Sequence, residues 1–292
     1  MSIVSSLPLF FIEKAINGWQ HLNEYSAYQL DRMQRKRFHK LFHPKEEDIF
    51  VVSHMKSGTT WTQMILFQLC HGKEMSIDQL DHIEDATPWY DVTVDKIPEA
   101  YPKPLIFKSH ELYGEVGNRP GRYIYVMRNG MDVVLSLYHH LQNFFGMKTS
   151  YPDFFDQFCS PDRTRNWFEH VAHWLENPLG KNVLILSYEE LHENLDTALD
   201  RIAAFCNIDL NEEDRVRVKE NSSFANMKKH WNKFGIRDGE KRKKNAAFLR
   251  KGQTKEGVEM LSNTQKLKFR KRFDLILGKY PEVASYRPQI ED

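Results

Sequence analysis

The fold of this chain is decided by the stretch DIFVVSHMKSGTTWTQMILFQ, which runs from Asp48 to Gln68. Its residues 49–53 are largely β-branched and aromatic and then give way to polar residues, which predicts a short buried strand. An apolar helical pattern follows Gly58. The first turn of a helix leaves backbone N–H groups unpaired, and its dipole favours negative charge. A strand, a loop that contains Lys56 and a helix therefore predict a phosphate site.

The composition of the loop suits an anion. Gly58 lets the backbone approach a ligand closely, and Thr59 and Thr60 add hydroxyl donors in the first turn of the helix. The nucleoside triphosphate loop GxxxxGK[ST] places its lysine after the second glycine, whereas Lys56 precedes the glycine here. Taken alone, these residues fit either a phosphate site or a glycine loop that only turns a strand into a helix.

A second strand and helix follow further along the chain. The segment RYIYVM at residues 122–127 predicts another buried strand, and a helical pattern runs from about Met131 to Phe145. Arg128 stands directly after the strand, where parallel α/β sheets bind ligands. We interpret Arg128 as a bidentate phosphate clamp and Ser136 as a hydrogen-bond donor to the same group, although a salt-bridged surface arginine also fits this residue alone.

Three motifs resemble those of the cytosolic sulfotransferases: KSGTTW at residues 56–61, RNGMDVVLSLYHH at 128–140 and FLRKG at 248–252. In that family the first motif holds the 5′-phosphate of the donor 3′-phosphoadenosine 5′-phosphosulfate (PAPS), and the other two contact its 3′-phosphate. The resemblance implies PAPS as the donor and 3′-phosphoadenosine 5′-phosphate (PAP) as the product. His54 and Met55 replace the Tyr-Pro pair that usually precedes the lysine.

The segment Lys108-Ser109-His110 matches the Lys-x-His motif of the family and follows a strand predicted at residues 104–107. The resemblance implies His110 as the general base, and an ordinary histidine pKa of about 6.5 suits that task. Lys56 is then the cation on the leaving oxygen, Lys108 stabilises the sulfonate, and Ser136 completes the catalytic set. Because a sulfuryl group carries less charge than a phosphoryl group, lysines can replace a metal ion, and no metal is expected.

The family also contacts adenine at positions outside these motifs. Trp61 follows the loop, Tyr188 opens a Tyr-Glu-Glu-Leu run, and Ser222 and Phe224 begin the family-like stretch at residues 222–229. Each of these aromatic residues also fits a core position. The donor-binding residues implied by the resemblance are Lys56, Ser57, Gly58, Thr59, Thr60, Trp61, Arg128, Ser136, Tyr188, Ser222, Phe224, Phe248, Leu249, Arg250, Lys251 and Gly252.

The acceptor site is where this chain departs from phenol-binding members of the family. Trp89 resembles a position that lines the acceptor cavity, and we place Phe144 near it. Where phenol-binding members have aromatic residues, this chain offers Glu84, Asp85 and His140, with Asp91 nearby. We therefore expect a polar or cationic small-molecule alcohol or amine, and the sequence leaves O- and N-sulfation both open.

The composition of the chain limits the classes of binding partner and the cellular compartment that we expect. The 41 basic and 40 acidic residues give no general field for nucleic acid or a membrane. No stretch approaches the ~20 apolar residues of a membrane-spanning helix. The three cysteines form no CxxC motif and fit a reducing cytoplasm. We expect a cytoplasmic enzyme without a nucleic-acid or membrane partner. The oligomeric state stays open, because the family's dimer motif after RKG is missing.

These observations predict a single α/β domain over residues 1–292, with a P-loop-like strand–loop–helix and a central parallel sheet flanked by helices. The predicted strands lie near residues 49–53, 104–107, 122–127 and 183–186, and the donor-binding elements are 49–68, 122–138, 188, 222–229 and 248–252. His170 and His173 lack an HExxH motif or further ligands and are interpreted as packing or surface residues. Two alternatives remain: a P-loop-type nucleotide kinase, and a non-catalytic nucleotide-binding protein.

Overall fold

A central sheet of four parallel strands organises the protein in a computed structural model that describes residues 43–90, 101–117, 119–162, 166–177, 182–235 and 252–290. The strand order is β2-β1-β3-β4. The strands are β1 (Ile49–Val52), β2 (Ile106–Ser109), β3 (Arg122–Met127) and β4 (Val183–Ser187). The predicted parallel sheet is thus confirmed.

Eleven α-helices lie within the described residues, and short 3₁₀ helices at Ile77–Gln79, Ile83–Asp85, Trp231–Lys233 and Pro281–Tyr286 complete the fold. The α-helices are α1 (Thr59–Cys70), α2 (Tyr113–Val116), α3 (Gly130–Phe145), α4 (Tyr151–Phe158), α5 (Trp167–Glu176), α6 (Tyr188–Glu193), α7 (Leu195–Cys206), α8 (Glu212–Asn221), α9 (Phe224–Lys229), α10 (Glu256–Met260) and α11 (Asn263–Ile276).

The sheet is buried on both faces, which explains its nearly continuous apolar strands. Successive side chains of a strand point to opposite faces. One face is aliphatic: Ile49 and Val51 join one core cluster with residues of α1 and α7. The other face is aromatic, and the Phe50 ring stacks on Tyr123 at 4.9 Å between ring centroids. On this face Trp174 of α5 stacks on Tyr125 at 5.2 Å. Helices therefore flank the sheet on both sides, as the sequence predicts.

Strand β2 lies further along the chain than the sequence predicts. It begins at Ile106 and includes Lys108 and Ser109, whereas the prediction covered residues 104–107. The backbone N–H of Leu105 donates to Asp48 Oδ1 at 3.0 Å, outside the regular ladder. Lys108 stays in the sheet because its N–H donates to the carbonyl of Pro88 at 3.0 Å. Lys108 and Ser109, which the prediction places after the strand, are therefore its last residues, whereas His110 follows it as predicted.

The described residues from Pro44 onward belong to one compact unit. Residues 1–42 lie outside the described part, so a single domain over the whole chain stays a prediction. Within the described residues, no helix is long and apolar enough to cross a membrane.

Candidate active site

The loop between β1 and α1 has the conformation that an anion site needs. Gly58 has φ +104° and Lys56 has φ +67°, so both lie in the left-handed region. Helix α1 has no side chain capping its N-terminus and no acidic residue in its first turn. Among the described residues, the buried Ser57 Oγ and Trp61 Nε1 atoms have no hydrogen-bond partner. These unpaired donors and the free helix end fit the 5′-phosphate and the base of a nucleotide.

Tyr188 packs against this loop so closely that only glycine fits at position 58. A Cβ added to Gly58 would lie 2.7 Å from Tyr188 Cδ2. The Tyr188 ring also meets Trp61 edge to face at 5.6 Å. The Arg128 guanidinium lies 4.3 Å from the centroid of the same ring. Three of the predicted donor-binding elements are therefore brought together around one tyrosine.

Arg128 links the loop to the segment after residue 251. Its Nη1 donates to the carbonyl of Lys56 at 3.1 Å, and its Nη2 donates to the carbonyl of Gln253 at 2.8 Å. Its own carbonyl accepts a hydrogen bond from Trp167 Nε1 at 3.1 Å. Arginine carries five N–H donors, so these contacts fix the guanidinium plane and leave donors for a phosphate. Ser136 lies two turns further along α3.

Seven other predicted donor residues divide into three groups. Phe248, Leu249, Arg250 and Lys251 lie outside the described residues. Gly252 has φ +64°, and a Cβ there would lie 2.7 Å from the ring of Phe224, which is 38% exposed and open to stacking. Ser222 is fully buried, and its hydroxyl donates to the carbonyl of Val218 at 2.7 Å; its adenine contact stays a prediction.

His110 is held as a base by the carbonyl of Ser53, which lies 2.7 Å from its Nδ1 atom. A carbonyl only accepts hydrogen bonds, so Nδ1 carries the proton and Nε2 keeps its lone pair. Burial, followed by the positive charge of Lys108, lowers the pKa of His110 to about 3. The imidazole is therefore neutral at physiological pH, which is the form that accepts a proton.

Lys108 lies beside this histidine, and its positive charge is paired with the carboxylate of Glu84. Its Nζ lies 4.0 Å from the centroid of the Trp89 ring and 3.6 Å from Glu84 Oε1. The side chains of Lys108 and Glu84 are 9% and 14% exposed, so this ion pair is largely shielded from water. The Trp89 ring meets His110 edge to face at 5.5 Å. The predicted acceptor residues Trp89 and Glu84 thus adjoin the predicted catalytic pair.

The other predicted acceptor residues are placed differently. His140 lies one turn after Ser136 on α3. Burial, with smaller effects from Lys56 and Lys108, lowers the pKa of His140 to about 3. The Oδ2 atom of Asp85 accepts the backbone N–H of His82 at 2.9 Å and so caps its own 3₁₀ helix. The side chain of Phe144 and the whole of Asp91 lie outside the described part of the chain.

His170 hydrogen-bonds to the backbone of His110, a contact that the sequence does not predict. Its Nε2 lies 3.2 Å from the carbonyl of His110, and its Nδ1 lies 3.1 Å from the hydroxyl of Tyr125. Since the carbonyl must accept, the Nε2–H donates to it and Nδ1 accepts the tyrosine proton. His170 is buried and His173 is exposed. No group of three His, Cys, Asp or Glu residues in the described part is arranged to hold a metal ion.

Comparison with known proteins identifies the family. Residues 46–282 match the model of the sulfotransferase domain. The chain belongs to the sulfotransferase family. This membership confirms sulfuryl transfer as the reaction and the sulfotransferases as the enzyme class, and it does not favour the kinase or non-catalytic alternatives.

Relatives of this sulfotransferase match most of the chain. An amine sulfotransferase of Oryctolagus cuniculus is 28% identical over 281 residues, which cover 91% of this chain and 93% of the relative. Sulfotransferase 2A1 of Macaca fascicularis is 29% identical over 238 residues, which cover 78% and 84%. The match is therefore not confined to the nucleotide-binding motifs.

Two solved structures share the fold. Mouse sulfotransferase SULT7A1, complexed with PAP, aligns with a TM-score of 0.65 at 24% identity and covers 84% of this chain and 90% of its own. Retinol dehydratase, in complex with androsterone and the inactive cofactor PAP, aligns with a TM-score of 0.69 at 19% identity and covers 82% and 84%. The P-loop-like fold predicted from the sequence is confirmed.

Proposed function

We propose that this sulfotransferase takes its sulfuryl group from PAPS and transfers it to an oxygen or nitrogen atom of a small polar or cationic acceptor, with His110 as the general base. The observation that carries this proposal is the 2.7 Å contact between His110 Nδ1 and the carbonyl of Ser53. It leaves Nε2 as the basic ring nitrogen, and the ring lies against Trp89, which also contacts Lys108.

The donor fits the residues that meet around Tyr188. The loop Lys56 to Thr60 and the start of α1 would hold the 5′-phosphate, and Arg128 and Ser136 would hold the 3′-phosphate. Trp61 and Phe224 offer flat surfaces to adenine. The buried and unpaired Ser57 Oγ atom among the described residues supports this assignment.

Transfer requires one bond to form and one to break. The acceptor atom attacks sulfur, the bond between sulfur and the phosphate oxygen breaks, and PAP leaves with that oxygen. His110 Nε2 takes the proton of the acceptor, while Lys56 balances charge on the leaving oxygen and Lys108 balances charge on the sulfonate. An anion between the two lysines also opposes their charge and so raises the pKa of His110 toward the range of an effective base.

The acceptor class rests on Glu84 and Trp89. Both contact the ammonium of Lys108. A carboxylate and an indole face are the groups that bind an organic cation, so an ammonium-bearing acceptor could take the place of Lys108 there and free this lysine for the sulfonate. The amine sulfotransferase among the relatives is consistent with this class. Asp85 is not part of the proposed cation site, because it caps its own helix.

The same proposal includes a cytoplasmic location and a single domain. All three cysteines, Cys70, Cys159 and Cys206, are free thiols, which fits the reducing cytoplasm. We propose one sulfotransferase domain over the whole chain, no metal requirement and no nucleic-acid partner.

Calorimetric titration with PAP in the presence of a metal chelator tests the donor site. We expect PAP to bind, ATP to bind at least ~10-fold more weakly, and Arg128→Ala to remove the preference for PAP, since a charge-assisted contact is worth at least that factor. A preference for ATP, or PAP binding that Arg128→Ala leaves unchanged, would contradict the proposal.

A further inference from the structure

Asp132 is a buried acid with no part in the chemistry described above. Its carboxylate is 3% exposed and lies in the first turn of α3, one turn after Arg128. Its Oδ2 accepts the backbone N–H of Lys255 at 2.8 Å, and its Oδ1 accepts that of Gly257 at 2.7 Å. Both oxygens are therefore engaged with one short segment that is far away in the sequence.

That segment depends on Asp132 for its conformation. Helix α10 begins at Glu256 and has no side chain of its own as an N-terminal cap. Lys255, which precedes it, has φ +70°, a left-handed conformation that costs a non-glycine residue free energy. A carboxylate at the N-terminus of a helix satisfies unpaired N–H groups and favourably meets the helix dipole. Asp132 thus caps α10 from another helix.

The docking is close as well as hydrogen-bonded. A Cβ added to Gly257 would lie 2.1 Å from the carbonyl oxygen of Met131, so only glycine allows α10 to approach α3 this closely. On the other side of the segment, the carbonyl of Gln253 accepts the hydrogen bond from Arg128 Nη2 at 2.8 Å. Residues 253–257 are therefore held by Asp132 at one end and hold Arg128 at the other.

We infer that Asp132 is a positioning residue for the phosphate clamp: by capping α10 it fixes the carbonyl of Gln253, and this carbonyl fixes the direction of the Arg128 guanidinium. Among the described residues, the guanidinium of Arg128 donates to two carbonyls, those of Lys56 and Gln253, besides its ring contact. Loss of the second lets the planar fork rotate away from a phosphate, and bidentate binding tolerates little rotation. The inference rests on the proposed role of Arg128 in binding the 3′-phosphate.

Asp132→Asn is the sharpest variant because it keeps the size of the side chain. An amide retains one acceptor and turns a donor toward a backbone N–H that now has no partner. Titration with PAP and with adenosine 5′-phosphate, which lacks the 3′-phosphate, separates the clamp from the rest of the site. We expect affinity for PAP to fall about 10- to 100-fold, the loss expected from a charge-assisted hydrogen bond, while affinity for adenosine 5′-phosphate changes less than about threefold.

Two further variants keep the test decisive. Gly257→Ala blocks the same docking from the other side and should produce the same selective loss even if Asp132→Asn folds poorly. Asp156→Asn removes a surface carboxylate that pairs with Lys268 and should change neither affinity.

The outcomes separate two failures. If the wild-type protein shows no preference for PAP over adenosine 5′-phosphate, the proposed function fails first. The positioning role of Asp132 is wrong if the wild type prefers PAP and both Asp132→Asn and Gly257→Ala keep that preference, or lose affinity for the two nucleotides equally. The proposed donor site is unaffected by that result.

Discussion

Replacing Gly58 with alanine tests the geometry of the phosphate loop directly. The residue has φ +104°, and left-handed backbone costs an L-residue roughly 1–2 kcal/mol. The new Cβ would also lie 2.7 Å from Tyr188 Cδ2, inside the contact distance of real side chains. Overpacking of this kind typically costs about 1–3 kcal/mol. We expect Gly58→Ala to lower the free energy of unfolding by roughly 2–5 kcal/mol in total.

The same substitution should weaken donor binding, because Tyr188 cannot move independently. Its ring contacts both Trp61 and the guanidinium of Arg128. A shift that accommodates the methyl group therefore displaces both residues. We expect affinity for PAP to fall by at least ~10-fold, which corresponds to 1.4 kcal/mol.

Urea unfolding and calorimetric titration with PAP measure the two effects, and Gly114→Ala is the matched control. Gly114 lies in α2, and a Cβ there meets nothing within 4 Å. Because alanine suits a helix better than glycine, this control should raise stability by roughly 0.5–1 kcal/mol and leave PAP binding unchanged. If Gly58→Ala behaves like Gly114→Ala in both assays, the close packing of the loop against Tyr188 is wrong.

Three further predictions concern the histidines and the acceptor pocket. Burial lowers the pKa values of His110 and His140 to about 3, so the unfolded chain binds more protons between pH 3 and 6.5. The free energy of unfolding, measured with urea, should fall as the pH drops through that window, by roughly 2 kcal/mol per histidine at pH 5. In His140→Phe the part of this decrease that comes from His140 should be absent. Glu84→Gln should lower kcat/KM for a cationic amine acceptor by at least ~10-fold and leave kcat/KM for a neutral phenol and the affinity for PAP nearly unchanged, since a cationic acceptor, unlike a neutral one, would pair with Glu84; equal losses would count against the cation site. His170→Phe should lower kcat of sulfate transfer by about 10-fold without weakening PAP binding, because the carbonyl of His110 loses its donor. A parallel loss of PAP affinity would show a general structural role instead.

The sequence predicts most accurately the elements whose signal is local. The change from strand to helical periodicity around Gly58, and the apolar segment at residues 122–127, identify β1, α1 and β3, and the structure has these elements at nearly the same bounds. The predicted position of strand β2 is two residues too early, because Lys108 and Ser109 are polar and are not assigned to a buried strand. Hydrogen bonds to the segment around Trp89 keep both residues in the sheet.

Contacts that depend on tertiary packing could not be predicted. The ion pair between Glu84 and Lys108 joins a 3₁₀ helix to a strand, and no local pattern specifies it. The signal for Asp132 was present, as an acid among apolar residues at the start of α3, but its partners at residues 255 and 257 depend on how the chain returns to that helix. For Ser222 the motif implies a ligand contact, which stays a prediction, and it gives no sign that the hydroxyl also donates to the carbonyl of Val218 at its own helix end.

Transfer of labelled sulfate from PAPS to a panel of amines, alcohols and phenols, by the wild-type protein and by His110→Ala, tests the central claim most directly. The account predicts that the wild type labels at least one polar or cationic acceptor without added metal. His110→Ala should lose about 10²–10⁴-fold in kcat, as expected for a general base, while its affinity for PAP stays unchanged. Undiminished transfer by His110→Ala, or the absence of transfer to every acceptor by a wild-type protein that binds PAP, would contradict it.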